Sequence, residues 1–272
     1  RQAGLKLSAI ALSPSVDRQS TPPGSAWPDC PPLEDVYAAA RRAFPDIRLG
    51  GGMFSYFTEL NRKRVPADQL DFITHCTCPI VHAADDLSIM QSLEALPFIT
   101  RSARAIFGAK PYRIGPSTIA MRQNPYGSAT KPNPGGQRVA MADSDPRHTG
   151  QFAAAWTIGY AARVAPVGLE MLTLSSFTGP FGVLASSGEP VAEGSHRPIF
   201  QPIKGLCELA GLAHVSARTS DETKVLALAG RSASGKTIAW LANLTAEDVQ
   251  VDISAFGRGQ VAMTPYAILR IG

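Results

Sequence analysis

Residues 70–119 read LDFITHCTCPIVHAADDLSIMQSLEALPFITRSARAIFGAKPYRIGPSTI, and this stretch decides the fold. Leu70 to Thr74 and Ile80 to His82 are short apolar runs suited to a buried strand. Asp85-Asp86 stands where a helix N-terminus favours negative charge. Leu87 to Phe107 then reads as one long helix, stopped by Gly108. Tyr112 to Ile119 is a second strand, interrupted by Gly115-Pro116. Strand, long helix and strand make a βαβ unit with parallel strands.

The same cycle recurs on both sides. Upstream, Leu5 to Leu12 reads as a strand and a Pro/Ser/Gly-rich loop runs to Pro31-Pro32. Leu33 to Phe44 has helical spacing, and Pro45 stops it. Ile47 to Leu49 leads into Gly50-Gly51-Gly52, a strand end where the backbone bends or something approaches closely. Downstream, the polar stretch Arg122 to Gly150 is roughly twice the usual upper length of a structureless loop, which marks it as functional or mobile. Phe152 to Val164 is an Ala-rich helix, Gly168 to Leu174 a fifth strand and Arg197 to Ala210 a last helix. Five such units fit a doubly wound sheet or the last five units of an eight-stranded barrel.

From His214 the texture changes. Val215–Arg218, Lys224–Ala229, Thr237–Leu244, Val249–Ile253 and Val261–Ile271 are short β-type runs with no helix between them, as in an antiparallel half-sandwich. The expected architecture is α/β: the C-terminal part of a (β/α)8 TIM-type barrel over residues 1–211, in about five βα units, followed by a small antiparallel β domain over residues 212–272.

Composition narrows the function. The chain has 272 residues, 44% hydrophobic and 18% charged, with a net charge of +4, enough for a sizeable core. The basic residues are scattered, as at Arg41-Arg42, Lys63-Arg64, Arg101, Arg104 and Arg147, with no aromatic interleaving, which argues against a nucleic-acid partner. No apolar tract is long enough for a membrane span. Cys30, Cys76, Cys78 and Cys207 include one C-x-C but no second pair at zinc spacing, so thiols of a reducing cytoplasm are expected. The opening residues Arg1-Gln2-Ala3-Gly4-Leu5 lack an initiator Met and run straight into a strand, so an upstream segment of the same protein is expected to be missing. Gly230 to Thr237 (GRSASGKT) satisfies the P-loop pattern, yet no long helix or parallel sheet follows, so it reads as a hairpin loop. No haem, flavin or nucleotide signature stands, and neither cofactor nor metal is expected.

In parallel β/α folds the chemistry sits at the C-terminal ends of the strands. After the second strand comes the run Tyr56 to Arg62, with Glu59, Asn61 and Arg62; after the third, His82, Asp85 and Asp86. After the fourth come Arg122, Asn124 and Tyr126, and after the fifth Ser175, Ser176 and Thr178. Glu59, among Phe57, Leu60 and aromatic neighbours, suits acid–base work tuned by Arg62, or else a structural ion pair with Arg62. His82 with Asp85 and Asp86 suits a base with its orienting carboxylate. The alternatives there are a metal site with Glu59, or a plain helix cap. Arg122 and Asn124 suit a polyhydroxylated or carboxylate ligand. Asp143, Asp145 and Arg147 suit a turn network, and His148, His196 and His214 surface or packing positions.

The segments GGGMFSYFTELNR (Gly50–Arg62), CPIVHAADDLSIMQSLEALPFI (Cys78–Ile99) and RIGPSTIAMRQNPYG (Arg113–Gly127) resemble the D-apionate lactonase family. DPRHTGQFAAAW (Asp145–Trp156), LTLSSFTGPFGV (Leu172–Val183) and RPIFQPIKGLCELAG (Arg197–Gly211) extend the likeness. The resemblance implies a barrel related to the large retaining-glycosidase clan, with flanking N- and C-terminal β domains. It also implies opening of the branched-pentose lactone D-apionolactone to D-apionate. Lactone hydrolysis needs a base for water, a stabiliser for the oxyanion and an acid for the leaving alkoxide. Glu59 and His82 are the expected acid–base pair and Arg62 or Asn61 the oxyanion partner. Asp85, Asp86, Arg122, Asn124 and Tyr126 are expected at the sugar hydroxyls. One alternative is a glycoside hydrolase, which needs two carboxylates flanking the scissile bond; the absence of any Asn-Glu dipeptide counts against it. The other is a non-catalytic carbohydrate-binding remnant.

Overall fold

The computed structural model describes Gly4 and residues 6–272. Five parallel strands lie side by side in chain order, β1 (Ala9–Leu12), β2 (Arg48–Tyr56), β3 (Phe72–Cys76), β4 (Tyr112–Ile114) and β5 (Met171–Leu172). Between them run α1 (Leu33–Ala43), α2 (Phe57–Arg62), α3 (Asp86–Gln91), α4 (Leu96–Phe107) and α5 (Gln151–Val164), and α6 (Phe200–Leu209) follows β5. This is the expected strand–helix alternation of a β/α barrel. The strand expected from Leu5 begins at Ala9; Leu5 itself lies outside the described residues.

Several boundaries differ from the sequence reading. The three glycines do not end a strand: β2 passes through them and pairs with both neighbours. Close packing explains the composition. A Cβ on Gly50 would stand 2.0 Å from the Phe72 ring, and one on Gly51 2.6 Å from Tyr37. Gly52 has φ +151, and its Cβ would stand 1.7 Å from the Thr74 carbonyl oxygen. Ile80 to His82 form a turn after β3, not a strand. The long helix breaks into α3, a 3-10 turn at Ser92–Ala95, and α4, with Pro97 in the first turn of α4 where its missing N–H costs nothing. β4 is cut to three residues at Gly115, whose φ of +129 leaves the strand region.

The C-terminal part is antiparallel. β6 (Ala213–Val215), β7 (Val225–Arg231), β8 (Thr237–Asn243) and β11 (Ile268–Ile271) form one sheet in the order β11-β8-β7-β6, and β9 (Val249–Asp252) pairs with β10 (Gln260–Met263). The P-loop look-alike is the β7–β8 hairpin: Ser232 N–H donates to the Lys236 carbonyl at 2.9 Å, and Gly235 takes φ +85 at the turn.

α5 joins the two parts. It is apolar all round, as a helix must be when it is buried all round, and Trp156, Ile158 and Tyr160 are at most 1% exposed. One continuous core runs from Ile114 through Trp156 to Leu226, Trp240 and Leu244. Gly205 on α6 admits the Trp240 ring where a Cβ would clash at 2.2 Å. No helix among the described residues is long and apolar enough to cross a membrane.

Candidate active site

Parallel strands deliver their last residues to one rim. β2 ends on Tyr56, β3 leads into Cys76-Thr77-Cys78, and β4 leads to Ser117 and on to Arg122. Asp17, in the segment after β1, is 3% exposed and accepts from the Phe54 amide at 2.7 Å. Hydrogen bonds lock the rim. Ser117 Oγ accepts from the Thr77 amide at 3.0 Å, and Thr77 Oγ1 lies 2.8 Å from the Tyr160 hydroxyl on α5. Cys78 Sγ donates to the Ile119 carbonyl at 3.2 Å.

Beneath the rim, His75 is fully buried. Its Nδ1 is 3.0 Å from the Cys76 carbonyl and its Nε2 2.6 Å from the Tyr112 hydroxyl. A carbonyl can only accept, so Nδ1 carries the proton and Nε2 accepts from Tyr112. Burial lowers this imidazole to about 4, so it is neutral at pH 7.

The groups around Arg122 are neutral as well. Burial, followed by the nearby Cys78 thiol, pushes Tyr56 above the ordinary phenol range, and burial pushes Cys78 and Tyr160 up to about 12. Burial also raises Cys76, against the pull of Arg122. Arg122 pulls each of these phenols and thiols down against burial, and the Asp17 carboxylate acts on Cys76 in the opposite sense. The Arg122 Nε is buried and finds no hydrogen-bond partner among the described residues.

The residues singled out from sequence fall into three groups. The first is held internally. Glu59, 2% exposed, accepts from Ser20 Oγ at 3.2 Å, the Thr21 amide at 3.1 Å and Arg62 at 2.8 Å, and lies 3.3 Å from Lys63 Nζ. Arg62 therefore faces Glu59. Asp85 caps α3 through the Ser88 amide at 2.8 Å. Asp86 takes Arg138 at 2.9 Å, Arg147 at 3.0 Å and, from the C-terminal part, the Tyr266 hydroxyl at 3.5 Å. Asn124 closes its own turn, through the Tyr126 amide at 2.8 Å and the Ala129 carbonyl at 2.7 Å.

The second group is open to solvent. Asn61, His82 and Tyr126 are exposed, and the His82 ring leans on Tyr126 with centroids 6.1 Å apart. The third is Arg122 itself. Glu59 and His82 have separate neighbours: the first packs on the segment after β1, the second on the loop after β4. Among the described residues no group of three or more His, Cys, Asp or Glu is placed to hold a metal ion.

Asp145 and Arg147 form the expected turn network, at 2.8 and 2.5 Å. His148 is a packing residue on the Gly182 carbonyl at 3.0 Å. Tyr56 lies in the run after the second strand that the strand-end rule selects, without a role assigned to it, whereas Cys76 and Cys78 read from sequence only as buried thiols. The same rule, applied to the last residues of the third strand, would have reached Cys76 and Cys78. Tyr160 carries no such signal, because it arrives from the middle of a helix.

A family model described as D-apionate lactonase, TIM barrel domain, matches residues 1–211, and one described as D-apionate lactonase, C-terminal immunoglobulin-like domain, matches residues 222–271. A D-apionate lactonase from Brucella anthropi is 58% identical over 268 residues. That match covers 98% of this chain, and the chain spans 43% of the relative's length. Two solved structures share the fold. A GH51 arabinofuranosidase from Xanthomonas axonopodis pv. citri has TM-score 0.52 and 11% identity, covering 81% of this chain and 50% of that one. A 4-O-alpha-L-rhamnosyl-beta-D-glucuronidase from Fusarium oxysporum 12S has TM-score 0.52 and 13% identity, covering 97% and 65%. With barrel and C-terminal regions both matched in order, the chain belongs to the D-apionate lactonase family.

Proposed function

We propose that the protein hydrolyses a sugar lactone of the D-apionolactone type to its open hydroxy acid. The observation that carries this reading is the 58% identity to a named D-apionate lactonase along 98% of the chain. Water adds to the lactone carbonyl carbon, the ring C–O bond breaks, and the proton lost by water ends on the departing alkoxide. Arg122 orients the substrate and stabilises the developing oxyanion, because its guanidinium has an uncommitted donor at the strand ends. His82 serves as the proton carrier, being exposed beside Tyr126, which offers a ring face to the sugar.

For Glu59 we propose a framework role in place of acid–base work. Two cations and two neutral donors already occupy its carboxylate. Asp85 and Asp86 hold the loop that carries His82, and Asn61 and Asn124 are further candidates for the sugar hydroxyls. No cofactor is invoked. A cytoplasmic setting is supported by the four free cysteines.

The test is ring opening of D-apionolactone, set beside a panel of aryl glycosides. Lactone opening with no aglycone release is the expected result. Aglycone release alone would move the protein to the glycosidases, and silence on both would favour a binding role.

A further inference from the structure

The loop after β5 holds an aromatic ring out in water on a fixed frame. Phe177 is 82% exposed, the most open of the large apolar side chains among the described residues. A single apolar residue on a loose surface loop needs no explanation, but this loop is tied on both sides of the ring. The Ser176 amide donates to the Phe181 carbonyl at 2.9 Å, the Val183 amide to the Ser176 carbonyl at 2.9 Å, and the Leu184 amide to the Phe177 carbonyl at 3.0 Å. Ser176 Oγ is spent on the Thr178 carbonyl at 2.8 Å. Beneath the loop lies the buried Arg197, which pairs with Glu189 and donates to the carbonyls of Gly179 at 2.9 Å and Gly182 at 2.8 Å. A buried guanidinium is costly unless its donors are filled, and here the loop that carries Phe177 fills them. At Gly182 a Cβ would stand 2.6 Å from the Thr178 backbone, so the turn is closely packed as well.

The loop stands on the strand-end rim, beside the stretch that carries Arg122. The Ser117 amide donates to the Thr173 carbonyl at 2.9 Å, which joins the segments that leave β4 and β5. At the far end of the Arg122 stretch, the buried His148 holds the Gly182 carbonyl at 3.0 Å.

We propose that Phe177 is a stacking platform for the ring of the sugar lactone, and so a substrate-binding residue of the strand-end site. A sugar lactone carries hydroxyls at its edges and C–H groups across its faces. An aromatic ring covers such a face and takes both surfaces out of water, and a ring already held in place adds little ordering cost on binding. This deepens the lactonase reading and rests on it for the ligand class. It adds an apolar contact to the polar groups of the rim.

The experiment sets Phe177→Ala, Phe177→Leu and Phe177→Trp beside the wild type in the opening of D-apionolactone. The Ala and Leu variants should raise KM by about five-fold or more with kcat within about two-fold, while Trp keeps the wild-type KM. Melting temperatures should stay within about 2 °C of wild type, because the ring itself packs on little. An unchanged KM in Phe177→Ala, a Leu variant as good as Trp, or a large loss of thermal stability would overturn the platform; the last would make Phe177 a packing residue.

A second measurement needs no turnover. The ring signal of Phe177 in phenylalanine-labelled protein, identified by its loss in Phe177→Ala, is followed by NMR during titration with anhydroerythritol, a furanose-type diol with no carbonyl to open. A saturable shift is expected, and a signal that does not move overturns the proposal. The two readings fail separately. A saturable shift without lactone opening removes the lactonase and keeps the platform, whereas lactone opening with a KM indifferent to Phe177→Ala does the reverse.

Discussion

Lys63 is 1% exposed, and its ammonium has two partners, the Gln19 carbonyl at 2.7 Å and the Glu59 carboxylate at 3.3 Å. Glu59→Gln keeps the shape of the side chain and strands that buried charge beside a neutral amide. Breaking one partner out of a buried pair costs about 3 kcal/mol or more, so urea unfolding should show a loss of this order, with ring-opening activity of the folded variant within a few-fold of wild type. A variant of unchanged stability and abolished turnover would return Glu59 to the chemistry. His75 gives the matching prediction for pH. Its folded value, about 4, lies below the unfolded value near 6.5, so the unfolded chain takes up the proton first as pH falls. Stability from this residue is complete above about pH 6.5 and drains away towards pH 4, by about 3 kcal/mol in all. His148, lowered by burial, acts in the same direction. Urea midpoints that do not fall between pH 7 and pH 4.5 would contradict this. At this scale the near neighbours of Glu59 were legible in the sequence and the distant ones were not. Glu59 and Arg62 lie three residues apart and were legible as a pair. Ser20 and Thr21, which complete the cage, come from about forty residues upstream, and no local pattern connects them.

Among the elements, β2 is the most constrained. At Gly52 a methyl group would meet the Thr74 carbonyl at 1.7 Å in a backbone conformation that side chains rarely adopt. Gly52→Ala should therefore prevent correct β2–β3 pairing. The expected result is insoluble protein, or a destabilisation of about 4 kcal/mol or more; a soluble variant with the wild-type melting temperature would show the pairing to be looser than described. The glycines also show why element boundaries were harder to read than elements. Three glycines in a row look like a strand end to a local rule, because the reason for them lies in Phe72, Tyr37 and Thr74, which fold against them from elsewhere. The break between α3 and α4 has a local cause in Pro97, whereas the shortness of β4 and β5 reflects where the sheet stops and could not be read from hydrophobic runs. The alternation itself was legible, because each helix carries its apolar residues at helical spacing and each strand is a short apolar run.

At the scale of the molecule, the barrel strands and the C-terminal sheet share α5 and one core, so the rim is backed by both parts. Tyr160 reaches the rim from α5, whose opposite side packs on β7 and β8. Tyr266, in the turn before β11, reaches Asp86 and stacks edge-on against Phe152 at 4.9 Å. The C-terminal part thus helps hold the loops that carry His82 and Arg122, which a division at residue 211 would not suggest. The fold resembles glycosidases, but at 11% and 13% identity that likeness speaks to architecture, and the chemistry has to be judged at the rim. The most direct measurement is the rate of D-apionolactone opening by the wild-type protein and by Arg122→Gln, followed by proton release. Turnover by the wild type and a fall of about a hundred-fold or more in kcat/KM for the variant are predicted for the loss of an oxyanion donor; a folded Arg122→Gln protein that opens the lactone at the wild-type rate would contradict the account.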